Sequence, residues 1–84
     1  MKYIAEINIM PKKGLLDPQG KAVAQSLPGI GLGQIADVRI GKHVTMNLEA
    51  ASDEEARKSV DEACQKLLAN MIMESYEFEV SPVQ

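Results

Sequence analysis

The chain has 84 residues, 45% of them hydrophobic and 25% charged, with a formal net charge of −3. That is ordinary globular composition in a length that supports one domain, and a domain of this size buries only about 60% of the surface of its unfolded chain. Nine Lys and Arg are spread thinly among twelve Asp and Glu, so no basic stripe exists to neutralise a phosphate backbone, and nucleic acid is excluded as a partner.

The first element is a strand. Tyr3, Ala5, Ile7 and Ile9 alternate with Lys2, Ile4, Glu6, Asn8 and Met10, a period of two with apolar residues in both rows. Pro11-Lys12-Lys13-Gly14 breaks it. Asp17 then caps a short helix, with Pro18 at its first position, where a missing N–H costs nothing. Ala22, Val23 and Leu27 form the expected buried stripe, and Pro28-Gly29 ends the helix. Gly20 in its first turn costs roughly 1 kcal/mol against Ala, so a close backbone approach is expected there. After the loop Gly29-Ile30-Gly31-Leu32-Gly33, two strands are expected, Ile35 to Ile40 and Val44 to Glu49, joined by Gly41-Lys42-His43 as a hairpin. In the second of these, Val44, Met46 and Leu48 share one face.

The second helix carries the clearest signal. Ser52 and Glu55 have the spacing of a capping box, and Asp53, Glu54 and Glu55 suit the positive end of a helix dipole. Ala56, Val60, Ala63, Cys64, Leu67 and Leu68 fall on one face, while Glu54–Lys58 and Glu62–Lys66 are expected exposed pairs. Asn70 stops the helix. A last strand places Tyr76, Phe78 and Val80 opposite Glu77 and Glu79, and residues 81–84 are expected as a fraying tail behind a single domain, 1–80. The order strand, helix, strand, strand, helix, strand predicts an α+β, ferredoxin-like fold: an antiparallel sheet with both helices on one face.

The inventory of reactive groups is empty. Gly29, Gly31 and Gly33 have G-x-G-x-G spacing and follow a helix rather than a strand, so they read as a turn and not as a phosphate cradle. One cysteine, Cys64, forbids an internal disulfide and lies on an apolar stripe; one histidine, His43, does not make a metal cage. Arg39, Lys42 and His43 form the only cationic cluster with catalytic potential, without a base or nucleophile spaced to join it. No apolar run approaches the ~20 residues of a membrane span, and Met1-Lys2-Tyr3-Ile4 leads into alternation rather than a signal sequence. A cytoplasmic, membrane-free chain with one unpaired thiol is expected. A core this thin, without disulfide or metal, leaves assembly with other chains as the source of added stability.

Three strings go further. Leu16-Asp17-Pro18-Gln19-Gly20-Lys21-Ala22-Val23, Asp37-Val38-Arg39-Ile40-Gly41-Lys42, and Cys64-Gln65-Lys66-Leu67-Leu68-Ala69-Asn70 followed by Glu74-Ser75-Tyr76-Glu77-Phe78 closely resemble the PurS family. That family is the small subunit of phosphoribosylformylglycinamidine synthase in purine biosynthesis. The likeness runs over about residues 2 to 80, and Met71 departs from it where the family commonly has proline. It implies an oligomer, dimer or tetramer, that bridges a glutaminase subunit and a large synthetase subunit. It also implies no catalytic, metal or cofactor site on this chain: ATP and magnesium belong to the large subunit. Asp17, Gln19, Gly20 and Lys21 at the helix start, with Arg39, Gly41, Lys42 and His43, are the candidate partner contacts. Two other classes stay open from the residues alone: a ferredoxin-like regulatory dimer binding a small ligand at its glycine-rich loops, and a small enzyme using His43 at a dimer interface.

Overall fold

Strand β1, Lys2–Pro11, is the axis of the molecule. A computed structural model describes residues 1–15 and 17–83; Leu16, which opens the first of the three strings, and Gln84 of the expected tail lie outside the described residues. Strands β2, Lys42–Glu49, and β3, Glu74–Pro82, flank β1 in the antiparallel order β2-β1-β3. The register sets Ile7 between Val44 and Phe78, and Ala5 between Met46 and Val80. All these residues therefore share a face, because directly opposed residues in a sheet point the same way. Tyr3, Ala5, Ile7 and Ile9 are at most 2% exposed. The apolar row expected of the first strand is the floor of the core.

Helix α2, Asp53–Ala63, lies over that floor and buries Ala56 and Val60 completely. Its start follows the expected box: the Ser52 hydroxyl accepts from the Glu55 N–H at 3.2 Å. The Glu55 carboxylate reaches one residue further back than expected, to the Ala51 N–H at 3.0 Å. Lys66 pairs with Glu62 at 2.6 Å, whereas Asp53 pairs with Arg57 at 3.9 Å rather than Glu54 with Lys58.

The end of α2 departs from the expected stripe. Cys64–Leu68 is a π-helical turn, closed by the Ala69 N–H on the Cys64 carbonyl at 3.0 Å. The residue accommodated by the wider turn advances the buried face by a position. Cys64 and Ala69 are buried, and Leu67, assigned to the stripe by its spacing, is 83% exposed. On β3, Tyr76 and Phe78 stack with ring centroids 6.3 Å apart. Ser81 and Pro82, expected in the tail, pair with Ile4 and Tyr3 and belong to the strand.

The fold is α+β and ferredoxin-like with an antiparallel sheet, but the first half of the chain departs from expectation in two places. Residues Ile35 to Ile40, expected as a strand, run without a ladder partner among the described residues. No hairpin closes at Gly41-Lys42-His43, because Lys42 and His43 already pair with Ile9 and Asn8 as the first residues of β2. Helix α1, Pro18–Ser26, continues into a 3₁₀ turn, Leu27–Ile30, ended by Gly31 at φ 84°. Its expected stripe is not buried: Ala22 and Val23 face solvent, Leu27 is half-buried, and Gly20 is the buried residue of the helix. Together α1, the turn and residues 31–40 form an arm.

Candidate partner-docking site

The arm joins the sheet through one carboxylate. Asp17 Oδ1 accepts from the Gly20 N–H at 3.1 Å, capping α1, and Oδ2 accepts from the Ile40 N–H at 3.0 Å. These bonds, first that from Ile40 and then that from Gly20, hold the Asp17 carboxyl below its ordinary range, with the Arg39 charge adding to them. Helix start and extended segment are thus clamped by the same side chain.

The two glycines of the site follow from that geometry. A Cβ on Gly20 would run into the Val38 carbonyl, and one on Gly41 into the Ile9 carbonyl and the Met10 sulfur. Both positions are places where one backbone lies against another. The Arg39 guanidinium donates to the Pro11 carbonyl at the end of β1.

Around this clamp opens a cleft of about 410 Å³, lined by Leu15, Pro18, Gln19, Gly41 and Lys42 on one side and by Asn70, Met73 and Glu74 on the other. Lys42 Nζ lies 3.7 Å from Glu74 Oε2 across its floor. Asn70 builds the far wall: its carbonyl accepts from the Met73 and Glu74 N–H groups at 3.0 and 2.7 Å, and its side chain from Ile72 at 3.0 Å. Glu74 Oε1 returns a bond to the Asn70 N–H at 2.8 Å. None of these bonds uses the Met71 N–H. The turn presents Met71, Ile72 and Met73 to solvent, 43%, 83% and 51% exposed.

The structure brings Asp17, Gln19, Gly41 and Lys42 together at the cleft, sets Gly20, Lys21 and Arg39 on the other side of Asp17, and separates His43. Lys21 and Arg39 line a second hollow with Lys12 and Lys13. His43 lies on the opposite face of the sheet, its Nδ1 2.7 Å from Asn8 Oδ1, among Glu6, Glu77 and Glu79. The cationic cluster expected at a hairpin tip therefore does not exist. Arg39 is engaged by Pro11, Lys42 by Glu74 and His43 by Asn8, because alternation along β2 sends neighbours to opposite faces. Asn70, Met73 and Glu74 were not among the expected contacts. Their signal was the Asn70-to-Glu74 spacing after a helix stop, legible only as a turn.

Burial pushes the Cys64 thiol up, away from thiolate. Tyr76 is raised by its hydrogen bond to Asp61, which also accepts from Gln65 at 2.8 Å; the group fastens β3 to α2. Among the described residues no three His, Cys, Asp or Glu side chains converge as metal ligands, and no helix is long and apolar enough to cross a membrane.

Comparison with known proteins finds relatives over nearly the whole chain. Residues 4–82 match the family model PurS, phosphoribosylformylglycinamidine (FGAM) synthase. The phosphoribosylformylglycinamidine synthase subunit PurS of Bacillus subtilis (strain 168) is 40% identical over 81 residues, 96% of this chain and 95% of that protein. Among solved structures, Bacillus subtilis PurS in a C2 crystal form superposes with a TM-score of 0.85 at 39% identity, covering 95% of this chain and 99% of the other. A chain of the PurLQS structure from Thermotoga maritima gives 0.87 at 26% identity, covering 96% and 99%.

Proposed function

Since the chain belongs to the PurS family of phosphoribosylformylglycinamidine synthase, we propose that it works as the small, non-catalytic subunit of that ligase. The complex converts formylglycinamide ribonucleotide, ATP and glutamine to formylglycinamidine ribonucleotide, ADP, phosphate and glutamate in purine biosynthesis, in the cytoplasm. In this reading a glutaminase subunit releases ammonia, and a large synthetase subunit holds ATP, magnesium and the ribonucleotide. This chain self-associates, as a dimer or tetramer, and bridges the two. The observation that carries the reading is the family match over residues 4–82, joined to a fold-level likeness to a chain solved as part of PurLQS.

The physical reason for a bridge is the chemistry of ammonia. In water it takes a proton and loses the lone pair that attacks the substrate, so transfer between two centres needs a path closed to solvent. A subunit without reactive groups of its own contributes by fixing that geometry. The cleft between Asp17–Gln19 and Asn70–Glu74, with the exposed Met71, Ile72 and Met73 on its rim, offers an apolar anchor beside a charged pair, the pattern of an interface centre.

Reconstitution tests this. Omission of the chain from a mixture with the two larger subunits is expected to abolish most glutamine-dependent turnover and spare ammonia-dependent turnover. Ile72→Asp is expected to reproduce that loss with the fold intact. Equal loss of both activities would mean a direct effect on the synthetase centre and would overturn the bridging role.

A further inference from the structure

Cations that stand apart along the chain meet on one side of the fold. Lys12 and Lys13 from the turn after β1, Lys21 from the start of α1 and Arg39 from the extended segment line one hollow of about 640 Å³. They are four of the nine Lys and Arg in a chain whose net charge is −3. All four are exposed, and among the described residues none of them is ion-paired.

The backbone holds them there. Gly14, at φ 84°, turns the chain after β1. The Leu15 N–H closes on the Lys12 carbonyl at 3.3 Å, and the Lys12 N–H on the Met73 carbonyl at 2.8 Å. The close approach of Gly20 to the Val38 carbonyl sets Lys21 beside Arg39. Arg39 gives one N–H to the Pro11 carbonyl and keeps its other donors. Two carboxylates share the hollow, Asp17 and Asp37. Asp17 spends both oxygens on the Gly20 and Ile40 N–H groups. A hollow with an excess of one sign focuses its field and draws the opposite charge.

The chemistry of the occupant follows from the donors on offer. A phosphate is held by backbone N–H groups aimed at it, but those of Gly20 and Lys21 are already taken by Asp17, at 3.1 and 3.0 Å. A nucleic-acid backbone asks for a continuous basic track, and Asp17 and Asp37 interrupt this one. Point charges on flexible lysine stems around an open hollow suit several carboxylates spaced along a polypeptide. The hollow meets the Asn70–Glu74 cleft at Pro11, Leu15 and Asp17 and otherwise has its own lining. One surface is largely apolar and the other basic, and a bridge between two proteins needs two surfaces.

We propose that the hollow of Lys12, Lys13, Lys21 and Arg39 docks an acidic segment of one larger subunit, while the other larger subunit occupies the cleft. This deepens the bridging role proposed above and rests on it.

The test measures association of each larger subunit, separately, with the parent chain and with the triple variant Lys12→Glu/Lys13→Glu/Lys21→Glu, at about 50 and 200 mM salt. With one subunit only, the variant is expected to associate at least about tenfold more slowly in low salt, the difference shrinking in high salt. Ile72→Asp is expected to weaken the other subunit instead. Parent association indifferent to salt with both subunits would overturn the proposal, however the variant folds. Parent rates for the variant with both subunits would overturn it too, and loss of glutamine-dependent turnover in Ile72→Asp would then leave the bridging role standing. Inorganic phosphate or ATP binding the chain below about 1 mM by calorimetry, lost in the variant while both association rates hold, would replace the docking surface with a small-anion site. Failure of the parent chain to bind either subunit would overturn the hollow and the bridge together.

Discussion

The two helices begin alike and end in opposite circumstances. Each starts with an oxygen-bearing cap residue, Asp17 for α1 and Ser52 for α2, accepting from a backbone N–H three residues on. Yet α2 buries Ala56 and Val60 fully, while α1 buries only Gly20. Capping and propensity decide where a helix starts; whether it is covered depends on what the rest of the assembly places against it. The α2 half is a finished core built by one chain. The arm is folded locally and leaves Val23, Ile30 and Ile35 exposed.

That contrast can be broken most strongly in the core. Ile7 is fully buried at the centre of β1, and Ile7→Ala is expected to cost about 2–5 kcal/mol, enough to unfold much of a small domain. Ile30→Ala in the arm is expected to change the unfolding free energy of the dilute chain, read from urea titration, by no more than about 0.5 kcal/mol. The same arm variant is expected to weaken self-association, read as a smaller rise of Tm with protein concentration. Comparable losses for both variants in dilute protein would show that the arm is part of the single-chain core.

A middle effect belongs to Asp17. Its folded-state pKa lies below the unfolded value, so its bonds contribute stability above about pH 4. That contribution is lost as pH falls through the lowered folded pKa. The Ile40 amide is expected to move in acid titrations followed by NMR, and to lose its bonded shift at neutral pH in Asp17→Ala. An Ile40 amide indifferent to both would disconnect the clamp from the arm.

The smallest effect sharpens the end of α2. Leu67→Ser is expected to stay within about 0.5 kcal/mol of the parent, because the π turn carries residue 67 to the surface. A loss of about 2 kcal/mol or more would restore the regular helical stripe expected from spacing.

Much of the molecule was legible in order along the chain. The alternation of Tyr3 to Ile9, the Ser52–Glu55 box and the Asp17–Pro18 start each express a local rule, and each is found where the pattern put it. The close approach expected at Gly20 is the Val38 carbonyl. Of the candidate site, the motif strings supplied Asp17, Gln19, Gly20, Gly41 and Lys42, but not the wall made by Asn70, Met73 and Glu74. Residues 28 or more positions apart meet there, and no spacing rule speaks to that distance.

The sequence by itself determined by period that β1, β2 and β3 are strands and α2 a helix, where α1 and α2 are capped, and which family the chain resembles. Tertiary structure alone decided that residues 35–40 stay outside the ladder, that His43 and Lys42 face opposite ways, and that Leu67 leaves the stripe. Local patterns record the preference of a segment for water on one side and protein on the other. Which protein lies on that side is settled by backbones meeting in space, at Gly41 against Ile9 and Ile40 against Asp17.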